Sequence, residues 1–266
     1  MRFTTGMEVG FSNMKKILYL ILDHHGCRAL SKECQNTWMR DIRDNSNVIF
    51  VGDPLMPDTI NGFEVYKPLP DERKEDQGRI TEKIVKAYNY ILEKDWDFLL
   101  RIDVDAYCNI KNLHRLVDNL NPSEDFYFGQ GIYFLDDKHP CFLSNIGDDL
   151  PPKKYKYYYA QGGCYLLSKS ALHKSISYMY YPAPIEARAE DIMVGDALSK
   201  AGIELSDRPD LFNSGFEGKG WHNMGTRQHT IEEHLKKITK EGYISTHKIS
   251  PDLIKKIHNQ LKCKNI

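Results

Sequence analysis

The chain has 266 residues, 41% of them hydrophobic and 27% charged, with 36 Lys and Arg against 37 Asp and Glu and a formal net charge of −1. That balance excludes an extended disordered chain and gives no general electrostatic drive towards nucleic acid. The length suits one large domain or two small ones, and no apolar run approaches the ~18 residues of a membrane-spanning helix.

Residues 1–13 lack periodicity, and Met14-Lys15-Lys16 reads as a natural start. The expected division is therefore a non-essential leader over 1–13 and a single domain over 14–266. Residues 16–22 read as a first strand ending on Asp23-His24-His25-Gly26, since the apolar run is too short for a signal peptide. Residues 30–40 place Leu30, Cys34, Trp38 and Met39 on one helical face. Strands follow at 48–51, ending on Gly52-Asp53-Pro54, and at 63–66. In residues 77–94, Ile80, Ile84, Ala87, Tyr88, Ile91 and Leu92 keep the helical period. A strand at 98–102 and a helix at 110–120 complete the first half. This alternation predicts an α/β fold with a mostly parallel central sheet flanked by helices. Sheets of this kind bind ligands beyond the carboxyl ends of their strands, which is where Asp23, Asp53, Asp103 and Asp105 fall.

The second half differs. Residues 126–135 and 154–160 are aromatic-rich and β-like. Gln161-Gly162-Gly163 then precedes a short strand at 164–167. The two glycines either make a tight turn or let the backbone approach a bound ligand. Ser168 caps a helix over 169–177, residues 182–186 form a loop, and 191–201 are helical. Residues 213–225 form a glycine-rich loop in which Trp221 is either an ordinary loop residue or an aromatic face for a ligand. A helix over 231–239, a strand over 244–249 containing His247, and a helix opened by Ser250-Pro251 end the chain. The six cysteines, Cys27, Cys34, Cys108, Cys141, Cys164 and Cys263, form no Cys-x-x-Cys pair, which argues against zinc and for buried thiols.

The stretch that carries chemistry is 97–109, DFLLRIDVDAYCN. Its apolar strand, interrupted only by Arg101, ends on Asp103-Val104-Asp105. In extended backbone the two carboxylates share a face. They repel each other, and burying them unpaired is costly. A hard divalent cation, Mn²⁺ or Mg²⁺, relieves that conflict and can also hold a diphosphate. The bland alternative is a strand-end turn, which aspartate favours.

Five stretches together resemble the Fringe and β-1,3-galactosyl/N-acetylglucosaminyltransferase family. They are Asn36-Thr37-Trp38 with the strand at 48–52, the aspartate stretch at 98–109, YAQGGCYLLS at 159–168, Glu190-Asp191-Ile192-Met193-Val194-Gly195, and Thr246-His247-Lys248. The resemblance implies a GT-A-like nucleotide-diphospho-sugar transferase fold and a metal-dependent, inverting hexosyltransferase of the β-1,3 type. It implies a UDP-sugar donor, galactose or N-acetylglucosamine, and a glycan or glycoconjugate hydroxyl as acceptor. It assigns Asp191 as the base, supported by Glu190, although two acids opening a helix also simply complement its dipole. It assigns Asp103, Asp105 and His247 to the metal, with His222 and His229 as rivals and a core histidine as the bland reading of His247. Asp23, Arg28 and Asp53 are candidate contacts to the base and ribose. Arg101, Asp103, Gly162 and Gly163 complete the donor-binding set.

Golgi members of that family carry a membrane anchor and luminal disulfides, which have no evident counterpart here. A cytoplasmic bacterial or viral protein is therefore the expectation. Two other functions stay open at the level of sequence. Asp103-Val104-Asp105 with Gly195-Asp196 also resembles haloacid-dehalogenase-type phosphatases, although Tyr107 and Lys200 do not fit that pattern. A glycan-binding module on a degenerate transferase fold is the non-enzymatic alternative.

Overall fold

The computed structural model describes residues 15–69, 77–133, 158–179, 190–213, 215 and 229–264. The expected leader at 1–13, the loop at 182–186, Trp221 and His222 lie outside them. In chain order the elements are β1 (Ile17–Leu22), α1 (Arg28–Asn36), β2 (Val48–Val51), β3 (Thr59–Ile60), β4 (Phe63–Tyr66), α2 (Gln77–Leu92), β5 (Phe98–Asp103), β6 (Ala106–Cys108) and α3 (Ile110–Asp118). They continue with β7 (Tyr127–Tyr133), β8 (Tyr158–Ser168), α4 (Lys169–Ser175), α5 (Glu190–Lys200), β9 (Ser206–Asp207), β10 (Phe212–Asn213), α6 (Ile231–Ile238), β11 (Ser245–His247) and α7 (Pro251–Lys264).

The fold is α/β. Its large sheet has the order β3-β4-β2-β1-β5-β8-β7-β9. β1 pairs in parallel with both β2 and β5, β2 pairs in parallel with β4, and β8 runs antiparallel between β5 and β7. The central strands are continuous apolar runs because both of their faces are covered. In β1, Ile17, Tyr19 and Ile21 join the core layer that holds Cys34, Trp38, Leu113 and Ile254, from the side of α1, α3 and α7. Leu18 and Leu20 join the opposite layer with Ile84, Tyr88, Leu172 and Val194, from α2, α4 and α5. A second, three-stranded sheet has the order β10-β11-β6.

Three expectations change. The helix expected over 30–40 stops at Thr37, whose backbone leaves the helical region (φ −119°, ψ −108°), and a 3₁₀ turn over Trp38–Asp41 buries Trp38 and Met39. The segments read as two strands around Gln161-Gly162-Gly163 are one long strand, β8, so no tight turn exists there. Asp105 does not continue β5: Val104 and Asp105 form the turn into β6. Cys34, Cys108 and Cys164 are buried thiols, as their apolar surroundings predict.

Leu100, at the centre of β5, is fully buried. Leu100→Ala is expected to cost about 2–5 kcal/mol, read from urea unfolding, without altering the far-UV circular dichroism of the native state. A cost near zero would contradict the two-layer core.

Candidate active site

The site is assembled where β5 ends. Asp103 is the last residue of that strand, and the turn carries Asp105. β6 then pairs antiparallel with β11, with His247 opposite Ala106. This register sets His247 beside the two aspartates although more than 140 residues separate them in sequence. His247 Nε2 lies 2.8 Å from Asp105 Oδ1 and 3.2 Å from Asp103 Oδ2. One ligand atom from each of the three residues falls within a 4.8 Å group.

The second half of the site is joined to this one by a buried guanidinium. Arg101, 2% exposed, places Nη1 2.7 Å from Asp103 Oδ1 and its Nη2 against Glu190 Oε1. It also sits over the Tyr165 ring, 5.6 Å from the centroid. Glu190 opens α5 and is itself buried. Its other oxygen accepts from Tyr165 Oη at 3.4 Å, and the Tyr165 hydroxyl in turn meets that of Tyr88. The neighbouring Asp191 accepts from the Gly162 N–H at 3.1 Å and, through Oδ1, from the Ile192 N–H at 2.9 Å.

Gly162 and Gly163 serve the two halves from adjacent positions of β8. A Cβ on Gly163 would stand 2.0 Å from His247 Nδ1, so only glycine leaves room for the imidazole. A Cβ on Gly162 would meet Glu190 Oε1 at 3.2 Å and Asp191 Oδ2 at 3.4 Å. The missing side chains therefore admit the protein's own functional groups, a reason distinct from the turn or ligand approach read from the sequence.

The electrostatics follow from burial and shared partners. Burial disfavours charge on Asp103 and Asp105, but Arg101 and His247 outweigh it at Asp103, holding that carboxyl below its usual range. At Asp105, His247 and Lys248 outweigh burial, and the carboxyl falls to about 2. His247 is raised: burial opposes its charged form, and the two aspartates overcome that cost. Glu190 moves the other way. Burial raises it, Arg101 opposes, and Asp191 and Asp103 add repulsion. Asp191 is also raised, again by burial, against the Gly162 hydrogen bond and Arg101.

Two carboxylates and an imidazole suit a divalent cation, and the nitrogen favours Mn²⁺ over the all-oxygen preference of Mg²⁺. The residues fit such an ion. His247 Nε2 is buried and makes no well-formed hydrogen bond, although an oxygen of each aspartate faces it. A cation would satisfy that nitrogen and neutralise the two carboxylates together.

The other candidate residues are spread differently. Asp23 is 2% exposed and is occupied internally, accepting from the His24 N–H at 2.7 Å and from Ser31 Oγ. These bonds tie it to the segment after β1. Arg101 is engaged in the internal ion pairs with Asp103 and Glu190. Asp53 accepts from the His25 and Leu55 N–H groups and faces His25 Nδ1 at 2.8 Å, and His24 and His25 can share an ion with it. Arg28 is exposed at the start of α1. His229 lies beside Asn213 and His234, outside the cluster of Asp103. Asp196 pairs with Lys200 along α5 at 2.7 Å, so the Gly-Asp element of the phosphatase alternative does not join Asp103. The sequence reading missed two side chains that meet the acids of this site, Tyr165 and Lys248. Tyr165 is legible as the hydroxyl three residues after Gly162 in the quoted motif. Lys248, at φ 61° and 3.4 Å from Asp105, has no sequence signal beyond adjacency to His247.

A family model described as Fringe-like matches residues 32–219. The UDP-GalNAc:beta-1,3-N-acetylgalactosaminyltransferase 1 of Rattus norvegicus is 26% identical over 144 residues, 50% of this chain and 41% of that protein. The Homo sapiens protein of the same name is 25% identical over 144 residues, with the same shares. The chain thus matches 41% of the length of these curated relatives. The solved structure of the galactosyltransferase LgtC in complex with donor and acceptor sugar analogs superposes with a TM-score of 0.50 at 13% identity, covering 91% of this chain and 95% of that one. That likeness concerns the fold alone. The fold is thus of the GT-A glycosyltransferase class. Within that class, the chain belongs to the Fringe-like family. No helix among the described residues is long and apolar enough to cross a membrane.

Two substitutions test the geometry. Gly163→Ala, by displacing His247, is expected to weaken Mn²⁺ binding by about tenfold or more, read by titration calorimetry; unchanged affinity would remove His247 from the ligand set. Arg101→Met leaves Asp103 and Glu190 without their common cation and is expected to destabilise by about 3–5 kcal/mol. A loss below about 1 kcal/mol, the scale of an exposed pair, would contradict the buried bridge.

Proposed function

We propose that the protein is a metal-dependent, inverting glycosyltransferase that moves a hexose or N-acetylhexosamine from a UDP-sugar to a hydroxyl of a glycan or glycoconjugate. The observation that carries this reading is the junction itself: the Asp103, Asp105 and His247 cluster joined through Arg101 to the acid pair Glu190 and Asp191. The names of the curated relatives support UDP-N-acetylgalactosamine and a β-1,3 linkage beside the galactose and N-acetylglucosamine implied by the sequence resemblance. We place the activity in residues 14–266. The buried thiols of Cys34, Cys108 and Cys164 support a reducing, cytoplasmic compartment.

In this reading Asp103, Asp105 and His247 hold the cation, Mn²⁺ or Mg²⁺. When bound, the ion neutralises the diphosphate as it departs, as a Lewis acid. Asp191 receives the acceptor hydroxyl's proton while that oxygen attacks the anomeric carbon. Burial raises its basicity, and the Gly162 and Ile192 N–H groups fix the carboxylate in place. Glu190 does not act on the acceptor. Its contact with Arg101 fixes the start of α5, and hence Asp191, relative to Asp103. Arg28, exposed near the end of β1, is available to the nucleotide.

The two roles separate by mutation. Asp105→Ala is expected to abolish Mn²⁺-dependent UDP binding and transfer together. Asp191→Asn keeps the shape but cannot take a proton, so it is expected to retain UDP and Mn²⁺ binding while transfer falls by roughly a hundredfold or more. Calorimetry of UDP with Mn²⁺ beside a transfer assay reads both. Loss of UDP binding in Asp191→Asn, as complete as in Asp105→Ala, would make Asp191 a ligand and overturn its assignment as base.

A further inference from the structure

A cavity of about 520 Å³ lies between α3 and α7, beside β6, with the buried Tyr107 among its lining residues. That volume is in the range of small-molecule sites. Its walls come from two helices by simple periodicity. Lys111, His114, Arg115 and Asp118 recur at i, i+3, i+4 and i+7 on α3, so they share one face. His258, Leu261 and Lys262 do the same on α7, and Asp41 and Arg43 close the groove from the segment after α1. Four cationic side chains face two acidic ones, so the lining is net positive with both histidines neutral. The N-terminal turn of α3, capped by Asn109, adds its partial positive charge.

One lining residue, His258, carries a polar atom with unmet needs. His258 is 4% exposed. Its Nδ1 meets Tyr107 Oη at 3.0 Å, while its Nε2 is buried and has no hydrogen-bond partner. Buried polar atoms without partners are uncommon and call for an explanation. Both imidazoles feel the positive field of the cavity. Burial and then Arg43 lower His114, and burial and then Lys262 lower His258, with Asp118 and Asp41 opposing. Ile110, Leu261 and the Tyr107 ring supply apolar surface beside this charge.

The geometry points to a binding site for a phosphorylated small molecule in this cavity, its phosphate taken by the cations of α3 and α7 and the His258 imidazole, its organic body packed on Tyr107, Ile110 and Leu261. Phosphate matches the donors: charge-assisted bonds from guanidinium, ammonium and imidazole are the strong ones. The site is separate from the cluster of Asp103, because it needs no metal and shares no lining residue with it. It does touch the same strand, since Tyr107 stands two residues from Asp105 and opposite Thr246.

The test uses the full chain without divalent metal, with inorganic phosphate and phenyl phosphate as probes and ionic strength held constant with chloride. Titration calorimetry and the melting temperature are the readouts. Both probes are expected to bind and raise Tm, phenyl phosphate more tightly. Arg115→Glu with Lys262→Glu, two exposed positions, is expected to weaken binding by about tenfold or more. The milder Arg115→Gln and Lys262→Gln are expected to weaken it singly, which covers misfolding of the double variant. Asp103→Asn is expected to bind both probes as the parent does. Absence of binding, binding undiminished in all three charge variants, or loss of binding in Asp103→Asn would each overturn the assignment.

Discussion

Arg101 is the interaction on which the site depends. A guanidinium at 2% exposure is an expensive group to bury, and it persists because Asp103 and Glu190 take it from two sides. The fork geometry of arginine matters: Nη1 serves the strand β5 and Nη2 serves the helix α5. The end of a sheet strand and the start of a helix nearly 90 residues later are thereby held at one separation. Because Asp103 is in the cation cluster and Glu190 adjoins Asp191, that separation is also the distance between the two chemical roles. The Arg101 guanidinium among three carboxyls, with the His247 imidazole on the side of Asp103, also explains their divergence. Asp103 is kept ionised, while burial raises Glu190 and Asp191.

The same economy appears in β8. Two adjacent glycines make two different spaces, one for the His247 ring and one for the acid pair. In a strand interior glycine is otherwise unfavourable, so its use here marks a place where another group must approach closely. The antiparallel insertion of β8 beside β5 brings these glycines level with the site, and the small β10-β11-β6 sheet brings His247 to the same point from the other side. Three pieces of chain distant in sequence converge because the strand register leaves few other places for them.

Much of this was legible in the residues. The apolar runs at β1, β2 and β5 are buried on both faces and cannot be mistaken for half-exposed strands, so the α/β class and the position of Asp103 at a strand end follow from pattern alone. The helical period fixed α2 and α3 to within a few residues. What periodicity does not carry is register and contact across the chain. Nothing in the spacing of Arg101 tells that its charge is paired internally, and nothing in that of Asp23 tells that Ser31 and the His24 amide bond to it. The sequence leaves Gly162-Gly163 open between a turn and an approach to a ligand, because the group that needs Gly163, the His247 imidazole, arrives from 84 residues further along.

The central claim is that one divalent cation sits among Asp103, Asp105 and His247 beside the acid pair. Anomalous diffraction at the manganese edge, from crystals grown with Mn²⁺ and UDP, tests it most directly. The account predicts a single strong peak within coordinating distance of His247 Nε2 and of an oxygen from each aspartate, with the diphosphate on its open side. A peak at His24, His25 and Asp53 instead, or ordered UDP with no peak at His247, would contradict it.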